Sequence, residues 1–172
     1  MWDAFFLFKD LPVRRLAEGE LIFRRDFAVT HMFWMHRGTA NLVRYLTTGA
    51  PSLLHQAKSG AILAEASAYS DVYHCDCLAL TDTKVAALPK SAFLAAMRND
   101  ADLAEKWAAH LAHSVQSARA RAELRSLKTV KDRLEAWISL HGDLPDKGHW
   151  HSLANDLSVS PEALYRELAK RR

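Results

Sequence analysis

The sequence is poor in cysteine, with only two such residues among 172. Cys75 and Cys77 lie two positions apart, so no disulfide framework can be built and reduced thiols are expected. Long hydrophobic runs are also missing. The opening MWDAFFLFKD is interrupted by Asp3, Lys9 and Asp10, which makes it too short for a signal peptide or a membrane span. We therefore predict a cytoplasmic protein without a membrane partner.

The chain carries no strong charge of one sign. A formal charge of +3 and a pI near 9.0 permit an anionic partner but do not require one. The sequence also lacks a nucleophile motif, a phosphate-binding glycine loop, a convincing carboxylate pair and the cysteine spacing of an iron–sulfur site. These absences argue against an enzyme. With 49% hydrophobic residues, the chain can bury an ordinary globular core.

Proline and glycine are absent from residues 91–127. In this segment small and apolar residues recur at alternating steps of four and three, the spacing of a heptad seam. The seam consists of Ala104, Ala108, Leu111, Val115, Ala118 and Ala122. We predict one long dimerisation helix, because a narrow seam rich in alanine suits the close approach of a second helix. The alternative is a helix buried against its own domain.

Residues 1–90 are predicted to form a β domain. Short runs rich in β-branched and aromatic residues are separated by glycines at 38, 49 and 60. Such regular turns indicate an antiparallel sandwich or barrel. Within 40–46, alternation places Leu42 and Arg44 on one face and Val43 on the other.

Residues 128–172 are predicted to be helical. The segment 129–142 keeps helical spacing and ends at Gly142. In SLANDLSVSPEALYRELAKRR, one helix covers about 152–157, and a second begins with Ser160 as N-cap and Pro161 at its first position. Two short helices separated by two residues are typical of a helix-turn-helix, whose second helix can enter the DNA major groove.

These features together resemble the Crp/Fnr family of bacterial transcription regulators. The resemblance implies an α+β protein with an N-terminal antiparallel β jelly roll, a long dimerisation helix and a C-terminal helix-turn-helix of the winged-helix type. Its most specific part is the run Ser160, Glu162 and Arg166 in the recognition helix. Glu162 could accept from cytosine N4, while Arg166 could bind guanine O6 and N7. The alternative is a surface pair of residues four apart.

The C-terminal residues add further expectations. Lys170, Arg171 and Arg172 could contact DNA phosphates, or they could be a solvated basic end. Pro161 stands where the cyclic-AMP-responsive members of the family carry arginine, which implies a different operator. The sequence ends before the family's β-hairpin wing, so a truncated wing is expected.

The resemblance also implies an effector pocket in the segment GAILAEASAYSDVYHCDCLA. Glu65 corresponds to the ribose-binding carboxylate of the cyclic-nucleotide-binding branch, whereas His74 and Cys75 replace its phosphate-binding arginine and hydroxyl. A largely neutral imidazole binds a phosphate more weakly than a fixed guanidinium does. We therefore predict an effector other than cyclic AMP. Glu65 could equally cap the short helix that follows it.

Cys75 and Cys77 suggest a second kind of site. On a strand their thiols face one side, while His74 and Asp76 face the other. Such a pair could bind a soft metal ion with a histidine, or sense oxidants. Further histidines that could complete the site are at positions 31, 36 and 55. The alternative is that both cysteines only fill a core.

The sequence thus favours a dimeric DNA-binding transcription regulator that is not an enzyme. Its partners would be a double-stranded DNA operator, a second copy of itself and RNA polymerase, and no cofactor can be assigned. One alternative is a metal-dependent jelly-roll enzyme, although the histidines lack the usual paired spacing. Another is a dimeric ligand-binding module that does not bind DNA.

Overall fold

The computed structural model describes residues 4–171 and divides into two compact units between Ala108 and Ala109. The phosphate contact predicted for Arg172 lies outside these residues. The functional division into 1–90, 91–127 and 128–172 stays a prediction. No helix within the described residues is both long enough and apolar enough to cross a membrane.

The first unit is an antiparallel β jelly roll. Its strands are β1 (Val13–Leu16), β2 (Leu21–Phe23), β3 (His31–Arg37), β4 (Thr39–Tyr45), β5 (Pro51–Lys58), β6 (Ile62–Leu63), β7 (Asp76–Ala79) and β8 (Thr83–Pro89). They form two four-stranded sheets with the orders β1-β8-β3-β6 and β2-β7-β4-β5. The predicted jelly roll is confirmed. The core is built from side chains of both sheets, including Met32, Met35, Leu42, Cys77 and Val85.

Gly38 makes the turn between β3 and β4. Its φ of +98° lies in the region that favours glycine. A Cβ atom here would stand 2.7 Å from the carbonyl oxygen of Asp82 and would collide with the Thr83 hydroxyl. The close approach of β8 thus requires glycine at this turn.

The two predicted faces of β4 do not differ in burial. Leu42 and Val43 are both buried, at 5% and 7% exposure, and Arg44 is exposed. The pairing of β4 with β7 is regular through Leu42 and Val43, so their side chains lie on opposite faces of the sheet. The pairing with β5 shifts at this point because Leu54 is an extra residue between Leu53 and His55, which places a β-bulge in β5.

The prediction of a single helix over 91–127 is wrong. The chain forms α1 (Lys90–Asn99) and α2 (Ala101–Ser126), separated by Asp100 in an extended conformation with φ −134° and ψ 104°. The Asp100 carboxylate accepts a hydrogen bond from the Leu103 amide at 2.9 Å. Asp100 thus ends α1 and caps α2, because its side chain satisfies an amide that the new helix leaves unpaired.

The second unit contains the C-terminal part of α2 and the helices α3 (Val130–His141), α4 (Trp150–Leu157) and α5 (Pro161–Ala169). The predicted start and end of α3 are confirmed. The Thr129 hydroxyl accepts from the Asp132 amide at 3.0 Å, and Gly142 caps the C-terminus with φ +85°. The core of this unit comprises Leu124, Leu134, Trp137, Leu153, Ala154, Leu157, Leu164 and Leu168.

Candidate functional site

The turn between α4 and α5 fixes the start of the predicted recognition helix. Ser158 adopts a left-handed conformation with φ 53° and ψ 48°, which ends α4 sharply. Ser160 then caps α5, and its hydroxyl accepts from the Ala163 amide at 3.2 Å. Pro161 occupies the first helical position, where its missing N–H costs nothing. These local predictions are confirmed.

The exposed face of α5 carries Glu162 and Arg166, one helical turn apart. Glu162 is fully exposed, and its pKa is lowered first by a hydrogen bond to the backbone and then by the Ser160 hydroxyl. Electrostatic interactions with His151 and Arg166 lower it further. At neutral pH the face therefore presents an anionic acceptor next to a cationic donor, which is the pair that base edges could engage.

The two basic residues after α5 form ion pairs within the chain. Lys170 Nζ lies 3.1 Å from Glu167 Oε2, and Arg171 Nη2 lies 3.4 Å from Glu135 Oε1. Arg171 Nε also lies 3.9 Å from Glu167 Oε1. The Lys170 side chain is 68% exposed, whereas that of Arg171 is only 31% exposed. Lys170 is thus open to a phosphate, while Arg171 links α5 to α3.

Arg133 is a structural residue of this unit that sequence reasoning missed. Its Nε donates to Leu127 O at 2.9 Å, and its Nη2 donates to Arg125 O at 3.1 Å. Its Nη1 donates to Leu157 O at 3.0 Å and to Ser158 O at 3.1 Å. The Arg133 guanidinium on α3 therefore connects the C-terminal ends of α2 and α4 by donating hydrogen bonds to their backbone carbonyls. It holds the turn that precedes α5.

Most residues of the predicted dimer seam are exposed on the surface of α2. Val115 is 48% exposed, and Ala108, Ala118 and Ala122 are also exposed in the single chain. Ala104 and Leu111 are half-buried. The buried residues of this helix are instead Leu103, Trp107 and Leu124. Four of the six seam residues are thus exposed and accessible to a second helix.

The predicted effector residues lie around a short helix, Glu65–Ser67. His74 Nδ1 lies 2.9 Å from the Ser67 hydroxyl, which fixes the half-buried imidazole. Burial lowers the pKa of His74, and the nearby positive charge of Arg44 lowers it further. Burial also raises the pKa of Glu65, although a backbone hydrogen bond opposes this shift. The imidazole is therefore neutral at pH 7.

Arg44 was not predicted for this region. Its Nε donates to His74 O at 3.0 Å, and its charge acts on both His74 and Cys75. The antiparallel pairing of β4 with β7, in which Val43 lies opposite Asp76, brings Arg44 close to His74. No local sequence signal places it, because the register of β4 against β7 depends on both strands.

The two cysteines are buried within the β unit. Both are 0% exposed. Burial raises the pKa of Cys75 to about 11, with the Glu65 charge acting in the same direction. The pKa of Cys77 is raised further, first by burial and then by Cys75. Both thiols stay protonated at neutral pH, so the structure favours the alternative in which they fill the core.

The metal site predicted from Cys75, Cys77 and His74 finds no support in the structure. His74 is engaged with Ser67, and the thiols would have to lose protons that burial retains. Among residues 4–171, no group of three His, Cys, Asp or Glu side chains is placed to hold a metal ion. The histidines at 31, 36 and 55 therefore do not complete a site with these cysteines.

Comparison with known proteins agrees with this fold. Residues 13–100 match the model of the cyclic nucleotide-binding domain. Since the match covers just over half of the chain, the chain belongs to the cyclic nucleotide-binding domain family. No curated protein matches the sequence.

Several solved structures are similar to this chain over most of its length. FixK2 from Bradyrhizobium japonicum is similar with a TM-score of 0.74 and 18% identity, over 93% of this chain and 83% of FixK2. The c-di-GMP responsive global regulator CLP of Xanthomonas campestris has a TM-score of 0.67 and 16% identity, over 96% of this chain and 87% of CLP. A CRP-family transcriptional regulator from Thermus thermophilus has a TM-score of 0.63 and 18% identity, over 91% of this chain and 83% of the regulator's chain. The predicted Crp/Fnr fold is confirmed.

Proposed function

We propose that this protein is a dimeric bacterial transcription regulator of the Crp/Fnr type, which binds double-stranded DNA through α5. The observation that carries the proposal is the exposed pair Glu162 and Arg166 on the second of two helices joined by a tight, capped turn. A surface pair of this spacing can occur on any helix. Its position at the start of the second helix, where a helix-turn-helix meets base edges, favours a role in DNA reading.

A homodimer would be formed along α2. Four of the six seam residues between Ala104 and Ala122 are exposed in the single chain, and small residues allow two helices to approach closely. A symmetric pair would present two copies of α5 to half-sites about 34 Å apart. The resemblance to the family supports RNA polymerase as a further partner, and action on DNA would place the protein in the cytoplasm.

The effector would be a molecule other than cyclic AMP. Where the resemblance expects a phosphate-binding arginine, the chain has a neutral imidazole that is already bonded to Ser67. An imidazole without charge offers one weak hydrogen bond, whereas a guanidinium offers two that are assisted by charge. We expect cyclic AMP to show no saturable binding in equilibrium dialysis at micromolar concentrations. Saturable binding would refute this part of the proposal.

DNA binding can be tested by selecting sites from a pool of random duplexes with the full chain. The selected duplex is then used in gel-shift titrations of the parent protein and Arg166→Ala. Loss of a bidentate contact to guanine costs about 1–3 kcal/mol, so we expect affinity to fall about 5- to 160-fold for the selected site. Nonspecific binding at low salt should persist.

Lys131→Ala is the matched control, because it removes an exposed cation from α3 rather than α5. Its affinity for the selected duplex should equal that of the parent. If the parent enriches no sequence from the pool, the DNA proposal is wrong. A dimeric ligand-binding module would then be the better description.

A further inference from the structure

The β unit contains an open pocket of about 460 Å³. Strands β1, β2, β3 and β8 line it, together with the segment between β2 and β3 and with Tyr73. Its volume lies in the range of pockets that bind small molecules. None of the predicted effector residues Glu65, His74 and Cys75 belongs to its lining, so it is a separate feature of the unit.

The floor of the pocket is aromatic and fixed. The Phe23 ring stacks on Tyr73 at a centroid distance of 4.4 Å and on Phe33 at 5.7 Å. The Tyr73 hydroxyl fixes the position of its ring, because it donates a hydrogen bond to His31 O at 3.0 Å and accepts one from His31 N at 3.2 Å. The three aromatic rings are buried, with at most 7% exposure. A ligand would therefore meet a preformed apolar surface.

The rim of the pocket is cationic. Arg14 and Arg24 are exposed, and the Arg24 guanidinium lies 5.5 Å from the centroid of the Phe27 ring. His31 completes the polar lining with its Nδ1 3.0 Å from the Thr30 hydroxyl. No Asp or Glu is among the described residues that line the pocket, and neither arginine forms a salt bridge with a carboxylate of residues 4–171. Among the described residues, no carboxylate of the lining balances the charge of the rim.

Phe27 is the second unusual feature of the rim, because 60% of its surface is exposed. A large aromatic side chain gains free energy when a ligand covers it. It lines the same pocket as the two arginines and the buried rings, so one ligand could contact all three surfaces.

We propose that this pocket binds a small amphipathic organic anion. Its apolar body would lie on the Phe23 floor and under Phe27, and its carboxylate or other oxyanion would lie between Arg14 and Arg24. Charge complementarity selects the anion, since a cation would be repelled and a neutral ligand would leave the arginines without a partner. The inference does not depend on DNA binding.

The probe for this site is anilinonaphthalene sulfonate, which joins an aromatic body to an anion and fluoresces when it leaves water. Its neutral counterpart is phenylnaphthylamine. We expect the parent to bind the sulfonate at a saturable site. The double variant R14Q/R24Q should bind it about tenfold more weakly, because the charged contacts are lost. The neutral probe should bind both proteins equally.

The matched control is R15Q/R25Q, which removes two neighbouring arginines that do not line the pocket. It should bind the sulfonate as the parent does. Phe27→Ser should weaken both probes, and a thermal melt verifies that every variant is folded. Equal binding of the sulfonate by R14Q/R24Q and the parent would overturn the proposal, as would the absence of saturable binding. Because no DNA is present, this result is separate from the gel-shift outcome.

Discussion

Arg133 offers the sharpest test of how the second unit is held together. Replacement by methionine keeps an unbranched side chain of similar length but removes all four hydrogen bonds to carbonyls of residues 125, 127, 157 and 158. A hydrogen bond from a charged donor contributes about 1.5–3 kcal/mol when its partner is buried. Here the side chain is half-buried and water can replace part of the loss.

We therefore expect Arg133→Met to lower the free energy of unfolding by about 2–4 kcal/mol, since losses within one network do not add fully. Urea titrations followed by circular dichroism at the helical band measure this change. Arg133→Lys should give an intermediate loss, because an ammonium cannot reach carbonyls on two helix ends at once. The effect should be seen mainly in the helical unit.

The control is Lys131→Met, which removes a cation from the same helix. Its pair with Glu135 is exposed and spans 4.0 Å, so its loss should cost at most about 0.5 kcal/mol. If Arg133→Met costs no more than this control, water satisfies the carbonyls equally well. The assignment of Arg133 as the residue that holds the turn would then be wrong.

Three further predictions concern the β unit. At pH 7, Cys75 and Cys77 should resist iodoacetamide in the folded protein and react after unfolding, because burial keeps both thiols protonated. Mass spectrometry measures the labelling, and rapid labelling of the native protein would contradict this prediction. Gly38→Ala should lower the free energy of unfolding by about 2–4 kcal/mol, whereas Gly19→Ala, where a Cβ meets nothing within 4 Å, should cost only about 1 kcal/mol in the same urea titration. Glu65→Gln should raise Tm at pH 7 and leave it nearly unchanged near pH 4. Burial raises the pKa of Glu65 in the folded state, so ionisation of this carboxyl lowers the stability of the parent as pH rises through that pKa. A lower Tm for this variant at pH 7 would mean that the carboxylate is stabilised as an anion.

Features encoded within a few residues could be predicted from the sequence. The start of α5 follows from Ser160 and Pro161, and the end of α3 follows from Gly142. The glycine-punctuated runs likewise predicted the longer strands. Glu162 and Arg166 could be placed on one exposed face because helical spacing alone fixes their relation.

Features that depend on distant residues could not be predicted in this way. The contact of Arg44 with His74 depends on the pairing of β4 with β7, which lies more than thirty residues further along the chain. The contacts of Arg133 join helix ends that lie far apart in the sequence. The break between α1 and α2 did leave a local signal. Asn99 and Asp100 are residues whose side chains compete with helical hydrogen bonds, and Asp is a strong N-cap.

The break at Asp100 also bears on how such a protein could exchange parts in evolution. Phe93 on α1 packs edge-on against Trp107 on α2 with ring centroids 4.9 Å apart, and both side chains are buried. A gene fragment that stops at residue 90 would lose both rings, and one that stops at residue 100 would leave Phe93 uncovered. The block that can be recombined intact therefore extends past Trp107, so the β unit would carry the first turns of α2 with it when joined to a different domain.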